Sequence, residues 1–174
     1  MNEYYFQLKQ IVKLAIPIVI AETGAQLSHT INMIMIGNQK AIYIAACSLA
    51  SYLFLVPLLF GIGTTIIITS FVGAANGSED IAECKSLFSN AFFIQLANGL
   101  FLTLFTLLFG LLIPYLDSDV EKVTLSCSYY NIVALSSLPI VLLYGLKGYI
   151  DGFGFTAFGM VAILLGNALN VFFN

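Results

Sequence analysis

The chain has 174 residues, of which 60% are hydrophobic and 9% are charged, with a mean hydropathy of +0.98 and a formal net charge of -3. Soluble globular domains build their cores with about half of their residues apolar, so this composition excludes a soluble domain and predicts an integral membrane protein. Six of the nine acidic residues lie in two segments between apolar tracts, "GSEDIAE" and "LDSDVEK". The net charge therefore indicates no nucleic-acid partner.

Five apolar tracts follow one another along the chain. Each of the first four is longer than the roughly 20 residues that a helix needs to cross about 30 Å of hydrocarbon, and the fifth runs to the C-terminus. The tracts are residues 11–36, 42–72, 87–112, 124–149 and 156–174. Lipid offers no hydrogen-bond partners, so tracts of this length without alternation predict helices. The predicted fold class is all-α, with about five transmembrane helices in one domain, residues 1–174.

The connections between the tracts are short, which predicts antiparallel neighbours packed side by side as in a bundle. The first tract continues past Gly24 without an A-x-A site, so we expect no cleaved signal peptide. Lysines favour a cytoplasmic N-terminus by four to two. The four on the cytoplasmic side are Lys9, Lys13, Lys85 and Lys147, and the two opposite are Lys40 and Lys122.

Polar side chains interrupt the first tract. Glu22, Gln26 and His29 are spaced by four and three residues, which places them on one helix face, and Asn32 borders that stripe. An unpaired charge at the bilayer centre costs about 2.5 kcal/mol or more, so this face is predicted to meet partner helices or a water-filled cavity. Two interpretations stay open: a hydrogen-bonded contact between helices, or a site that binds and releases a cation.

The fifth tract carries a second set of amides. Asn170 and Asn174 are spaced by four residues and share a face, and Asn167 lies one turn earlier. Their carbonyl oxygens suit either a hard cation or hydrogen bonds between helices.

Three segments together resemble the first five helices of the multidrug and toxic compound extrusion (MATE) transporters of the NorM type. They are "LAIPIVIAETGAQLSHTINMIMIG", "IAACSLASYLFLVPLLFGIGTTIIITSFVGAANGS" and "YIDGFGFTAFGMVAILLGNALNVFFN". The resemblance implies a cation-coupled antiporter of the inner membrane, with two six-helix lobes around a central cavity. It implies organic cationic drugs or dyes as substrates, Na⁺ or H⁺ as the coupling ion, and no other cofactor.

The resemblance also implies positions for the site. The family's "DTxMxG" signature falls on residues 32–37, so the acidic residue tied to cation coupling is Asn32 here. Its paired polar positions in the fifth helix fall on Asn170 and Asn174, which implies Na⁺ near these three asparagines. An amide does not exchange a proton in the physiological range. We therefore expect Glu22 to be a candidate for a relocated charge, with Gln26 and His29 beside it.

The second departure from the family is length, because its members have about twelve helices. We expect an incomplete N-terminal lobe, from a truncated or split gene, with the C-terminal half encoded separately. Two alternatives stay open: a non-transporting membrane subunit that packs against a larger membrane protein, and a fragment of a flippase for lipid-linked sugars. An enzyme is not expected, since no GxSxG, HExxH or P-loop motif occurs. The three cysteines form no CxxC pair and predict neither a metal site nor a disulfide.

Overall fold

The computed structural model describes residues 2–38 and 40–173, which form helices joined by short connections. A single 3₁₀ turn, Gly110–Leu112, links the third helix to the fourth. The α-helices in chain order are α1 (Asn2–Gly37), α2 (Ala41–Gly77), α3 (Ile81–Phe109), α4 (Ile113–Leu116), α5 (Val120–Leu135), α6 (Ser137–Gly152) and α7 (Thr156–Phe173).

The helices confirm the all-α membrane fold. Within the described residues, four segments are long and apolar enough to cross a bilayer, and α5 with α6 makes a fifth if the bent pair counts as one span. The helices extend beyond the apolar tracts, since α1 begins at Asn2 where the tract begins at residue 11. Polar residues such as Gln7 and Lys9 end the hydrophobic signal but are good helix formers, so they do not end the helix.

The fourth apolar tract forms two helices that meet at an angle of 41°. The break lies at Ser136, three residues before Pro139. Proline has no backbone N–H, and its ring clashes with the carbonyl group four residues earlier, here that of Leu135. Pro17 and Pro57 lie inside α1 and α2, which remain continuous.

Two aspartates in the acidic segments begin helices. The Asp80 carboxylate accepts a hydrogen bond from the Glu83 backbone N–H at 2.8 Å and caps α3. The Asp119 carboxylate accepts from the backbone N–H groups of Glu121 and Lys122 and caps α5. Such caps satisfy N–H groups that have no partner within the helix.

The helix α6 lies against both α2 and α3. Three glycines on one of its faces allow this close approach. A Cβ at Gly145 would lie 2.6 Å from Gln95, one at Gly148 would lie 2.6 Å from Thr65, and one at Gly152 would lie 2.6 Å from Val72. Small residues at such contacts let helix backbones pack closely in a membrane.

A buried apolar cluster joins α2 to the short helix α4 and to α5. Its buried members are Ala50, Phe54, Ile113, Tyr130 and Ala134. The helix α1 packs chiefly against α7, with a smaller contact to α2. The molecule therefore holds a core of α2, α3, α5 and α6, and an α1 and α7 pair beside it.

Candidate ion and substrate site

The α1 and α7 pair brings together the two tracts in which the sequence predicts site residues. Gly24 on α1 lies against α7. A Cβ there would lie 2.9 Å from Cδ2 of Leu164 and 3.5 Å from Nδ2 of Asn167, both on α7. The absence of a side chain at Gly24 thus sets the spacing of the two helices.

Most of the predicted polar stripe of α1 is exposed. Glu22, Gln26 and His29 are exposed, and Asn32 is half-buried. No hydrogen bond within residues 2–38 and 40–173 joins Glu22 to Gln26 or to His29, although the sequence left that interpretation open. The stripe therefore presents polar groups to the surroundings of this chain rather than closing on itself.

The predicted amides of the fifth tract are placed differently from one another. Asn170 is exposed, Asn167 is half-buried beside Gly24, and Asn174 lies outside the described residues. The Nδ2 atom of Asn167 is buried and has no hydrogen-bond partner in the described part of the chain. The structure thus places Asn167 against Gly24 of α1 and leaves Asn170 exposed.

Glu22 finds its partner on another helix. Its Oε1 atom lies 3.8 Å from Nζ of Lys147 on α6, and the same Nζ donates a hydrogen bond to Oδ2 of Asp151 at 3.0 Å. The side chains of Lys147 and Asp151 are 16% and 8% exposed, while that of Glu22 is 50% exposed. We call these three residues the charge cluster. It places two carboxylates around one ammonium group.

The charge cluster was not predicted from the sequence. Lys147 was expected only as an orienting charge on the cytoplasmic side, and the fourth predicted tract ended at residue 149, before Asp151. The structure places both inside α6, which ends at Gly152 and not at residue 149. The available signal was the spacing of four residues between a lysine and an aspartate, which puts the two on one helix face.

A second polar cluster lies between α2 and α3, and it too was not predicted. Gln95 is 2% exposed, and its Oε1 accepts a hydrogen bond from the Thr64 hydroxyl at 2.9 Å. Its Nε2 donates to the Thr65 hydroxyl at 3.4 Å, and Asn98 donates to the Thr64 hydroxyl at 3.1 Å. These bonds satisfy the buried amide and tie the two helices together, so this cluster holds the core rather than offering a site.

Residues 17–174, which are most of the chain, match the model of the MatE protein family. The chain belongs to the MatE family. Its relatives include the multidrug resistance protein NorM of Photobacterium profundum, 26% identical over 98% of this chain and 38% of the relative. NorM of Vibrio cholerae is 27% identical over 98% of this chain and 37% of the relative.

The fold of this MatE chain also has a match among solved structures. A MOP superfamily transporter from Pyrococcus furiosus superimposes with a TM-score of 0.81 at 22% identity, over 94% of this chain and 36% of that one. The predicted MATE resemblance and the predicted all-α fold are thereby confirmed. The chain spans somewhat more than a third of the length of the relatives that it matches.

Proposed function

We propose that this chain forms the N-terminal part of a cation-coupled multidrug efflux antiporter. The match of residues 17–174 to MatE carries the proposal, and two of the relatives are named multidrug resistance proteins. The substrates would be organic cations such as dyes and drugs, expelled in exchange for Na⁺ or H⁺. The remaining helices would come from a C-terminal half.

Exposed polar side chains on α1 and α7 support a site between this part and that half. Glu22, Gln26 and His29 are exposed on α1, and Asn170 is exposed on α7. Polar groups that face lipid are costly, so a face of this kind is expected to line a cavity in the assembled transporter. Together with Asn32 and Asn174, these residues form the proposed ion and substrate site.

The location would be the inner membrane with a cytoplasmic N-terminus. The lysine count supports this orientation less strongly than the sequence suggested, because Lys147 lies within α6 and bonds to Asp151. Lys9, Lys13 and Lys85 remain on the cytoplasmic side against Lys40 and Lys122 opposite, which still favours the same orientation.

The charge cluster argues against the alternative of a flippase for lipid-linked sugars. Such a cavity needs cationic groups for a phosphate. Lys147 lies within a candidate membrane span, but the two carboxylates of the charge cluster already outweigh its single positive charge. An excess of negative charge in this region suits a cationic substrate better.

The test is ethidium accumulation in bacteria that lack their own efflux pumps. The chain is expressed alone, and also together with the reading frame that follows the codon for Asn174. We expect less ethidium inside the cells when a second frame supplies the remaining helices, with the effect lost when the Na⁺ and H⁺ gradients are collapsed. Unchanged accumulation in both arrangements would contradict the proposal, and co-purification with an unrelated larger membrane protein would favour the subunit alternative.

A further inference from the structure

The charge cluster carries one negative charge in excess. Glu22 and Asp151 contribute two carboxylates, and Lys147 contributes one ammonium group. The cluster lies within candidate membrane spans, where an unbalanced charge is costly and marks a functional position. One bound monovalent cation would balance it.

One oxygen of the cluster has no partner. The Asp151 side chain is 8% exposed, and its Oδ2 accepts the Lys147 hydrogen bond. Its Oδ1 is buried and has no hydrogen-bond partner within the described residues. Buried carboxylate oxygens are normally satisfied, so Oδ1 is an open acceptor position for a cation or a proton.

The side of the cluster that faces α7 is formed by a glycine. A Cβ at Gly159 would lie 3.4 Å from Oδ1 of Asp151 and 3.3 Å from Cγ of Lys147. The half-exposed Glu22 carboxylate lies 3.8 Å from the same ammonium group. Lys147 thus links the buried Asp151 carboxylate to a partly exposed carboxylate on α1.

The surrounding helices supply little further charge. The helices α2 and α7 contain no Asp, Glu, Lys, Arg or His. On α6, Tyr144 interacts electrostatically with Glu22. The charged residues of α3 and the remaining described ones of α1 are all exposed, namely Glu83, Lys85, Lys9, Lys13 and His29. Among the described residues of these helices, no further buried charged side chain therefore balances the excess negative charge of the cluster.

We propose that Glu22, Lys147 and Asp151 form a binding site for one monovalent cation, H⁺ or Na⁺, with Oδ1 of Asp151 as the buried acceptor. This site is distinct from the three asparagines, which provide no carboxylate. Cation binding here does not require transport. Its use as the coupling step does rest on the proposed antiport function.

The sodium arm of the test measures thermal unfolding of the purified chain in detergent. NaCl is compared with choline chloride at the same ionic strength. A ligand that binds only the folded state raises the unfolding temperature, so we expect Na⁺ to raise it by several degrees. The increase should be lost in Asp151→Asn and in Glu22→Gln, because either change removes the excess charge. It should be kept in Glu121→Gln, an exposed glutamate in the first turn of α5.

The proton arm uses infrared difference spectra of the same proteins in lipid. Samples are acidified only to the pH at which exposed carboxylates begin to take up protons. If the cation is H⁺, a carboxyl C=O band appears in the unmodified chain and in Glu121→Gln, and it is missing in Asp151→Asn or Glu22→Gln. Circular dichroism and size-exclusion chromatography show whether each variant is folded. The half-exposed Glu22→Gln supplies the result if Asp151→Asn does not fold.

The outcomes separate this inference from the proposed function. A sodium-dependent increase or a carboxyl band that depends on Asp151 or Glu22 supports the site and identifies the ion, even if cells show no ethidium efflux. Absence of both signals in the unmodified chain, or signals that persist in both variants, would overturn the inference. The proposed efflux would still be decided by the ethidium experiment.

Discussion

The Nζ atom of Lys147 lies 3.0 Å from Oδ2 of Asp151, one helical turn away on α6, with side chains that are 16% and 8% exposed. This pair gives the first prediction. Breaking a buried ion pair leaves an uncompensated charge and typically costs about 3–5 kcal/mol. We expect Lys147→Met alone to lower the free energy of unfolding by about 3 kcal/mol. Asp151→Leu alone should lower it by less, because Lys147 keeps Glu22 as a partner at 3.8 Å.

The double variant Lys147→Met with Asp151→Leu supplies the control. Replacing both partners with apolar side chains removes the stranded Asp151 charge and leaves only the half-exposed Glu22 without its partner. The double variant should therefore be more stable than Lys147→Met alone. Unfolding in detergent, followed by circular dichroism, measures all three. Additive losses in the double variant would show that the two side chains do not interact in the folded state.

The second prediction concerns the contact between Gly148 and Thr65. A Cβ at Gly148 would lie 2.6 Å from Cγ2 of Thr65 and 3.0 Å from its backbone oxygen, and a backbone atom does not rotate away. Forcing extra volume into such a contact costs about 1–3 kcal/mol. We expect Gly148→Ala to lower the unfolding temperature.

Gly63→Ala is the matched control, because no atom from another part of the described chain would lie within 4 Å of a Cβ at that position. Alanine favours a helix over glycine by about 0.5–1 kcal/mol, so this variant should unfold at the same or a slightly higher temperature. Equal behaviour of the two variants would show that α6 and α2 do not pack as closely as the structure has them.

Sequence reasoning predicted the spans but not their mutual contacts. Apolar length is a local property, so tracts such as 42–72 and 87–112 were visible as helices. The bend at Ser136 depended on which carbonyl group Pro139 would displace, and composition does not give that. The starts of α3 and α5 depended on single capping aspartates within acidic segments that looked like ordinary loops.

The candidate site was predictable only in part, for a related reason. Periodicity within α1 correctly put Glu22, Gln26 and His29 on one face, because helical spacing alone determines it. The partner of Glu22 lies 125 residues further along the chain, at Lys147. No pattern within one helix identifies such a contact, so the charge cluster became visible only in the folded chain. The roles of Asn32, Asn170 and Asn174 in ion coupling stay predictions.

The third prediction concerns Gln95. Its side-chain amide bonds to Thr64 and Thr65 across the contact of α2 and α3 while only 2% exposed. Hydrogen bonds between membrane helices contribute about 0.6 kcal/mol on average and up to about 1.7 kcal/mol. Because Gln95→Met keeps a similar volume and removes both bonds, we expect a loss of about 1–2 kcal/mol in the free energy of unfolding.

Asn90→Met tests whether that loss is specific. Asn90 is exposed on the same helix and, among the described residues, its side chain bonds only to Ser86, one turn away on α3. Its replacement should therefore leave the unfolding temperature nearly unchanged. A loss of stability as large as that of Gln95→Met would show that a methionine destabilises α3 irrespective of the hydrogen bonds it replaces.

The last prediction concerns pH and the turn before α5, outside the membrane-spanning segments. The hydrogen bond from Lys122 holds the pKa of Asp117 below its usual 3.8, with a further contribution from the Asp119 backbone N–H. A carboxyl group whose pKa is lower in the folded state stabilises the fold above its unfolded pKa, and this contribution is lost as the pH falls through the folded value. At pH 7 the unmodified chain should therefore unfold at a slightly higher temperature than Asp117→Asn. That difference should shrink on acidification below about pH 3.8.

Lys122→Met should remove most of the same pH dependence, because it removes the main cause of the lowered Asp117 pKa. A difference between the chain and Asp117→Asn that stays constant with pH would show that the carboxylate charge is not its source.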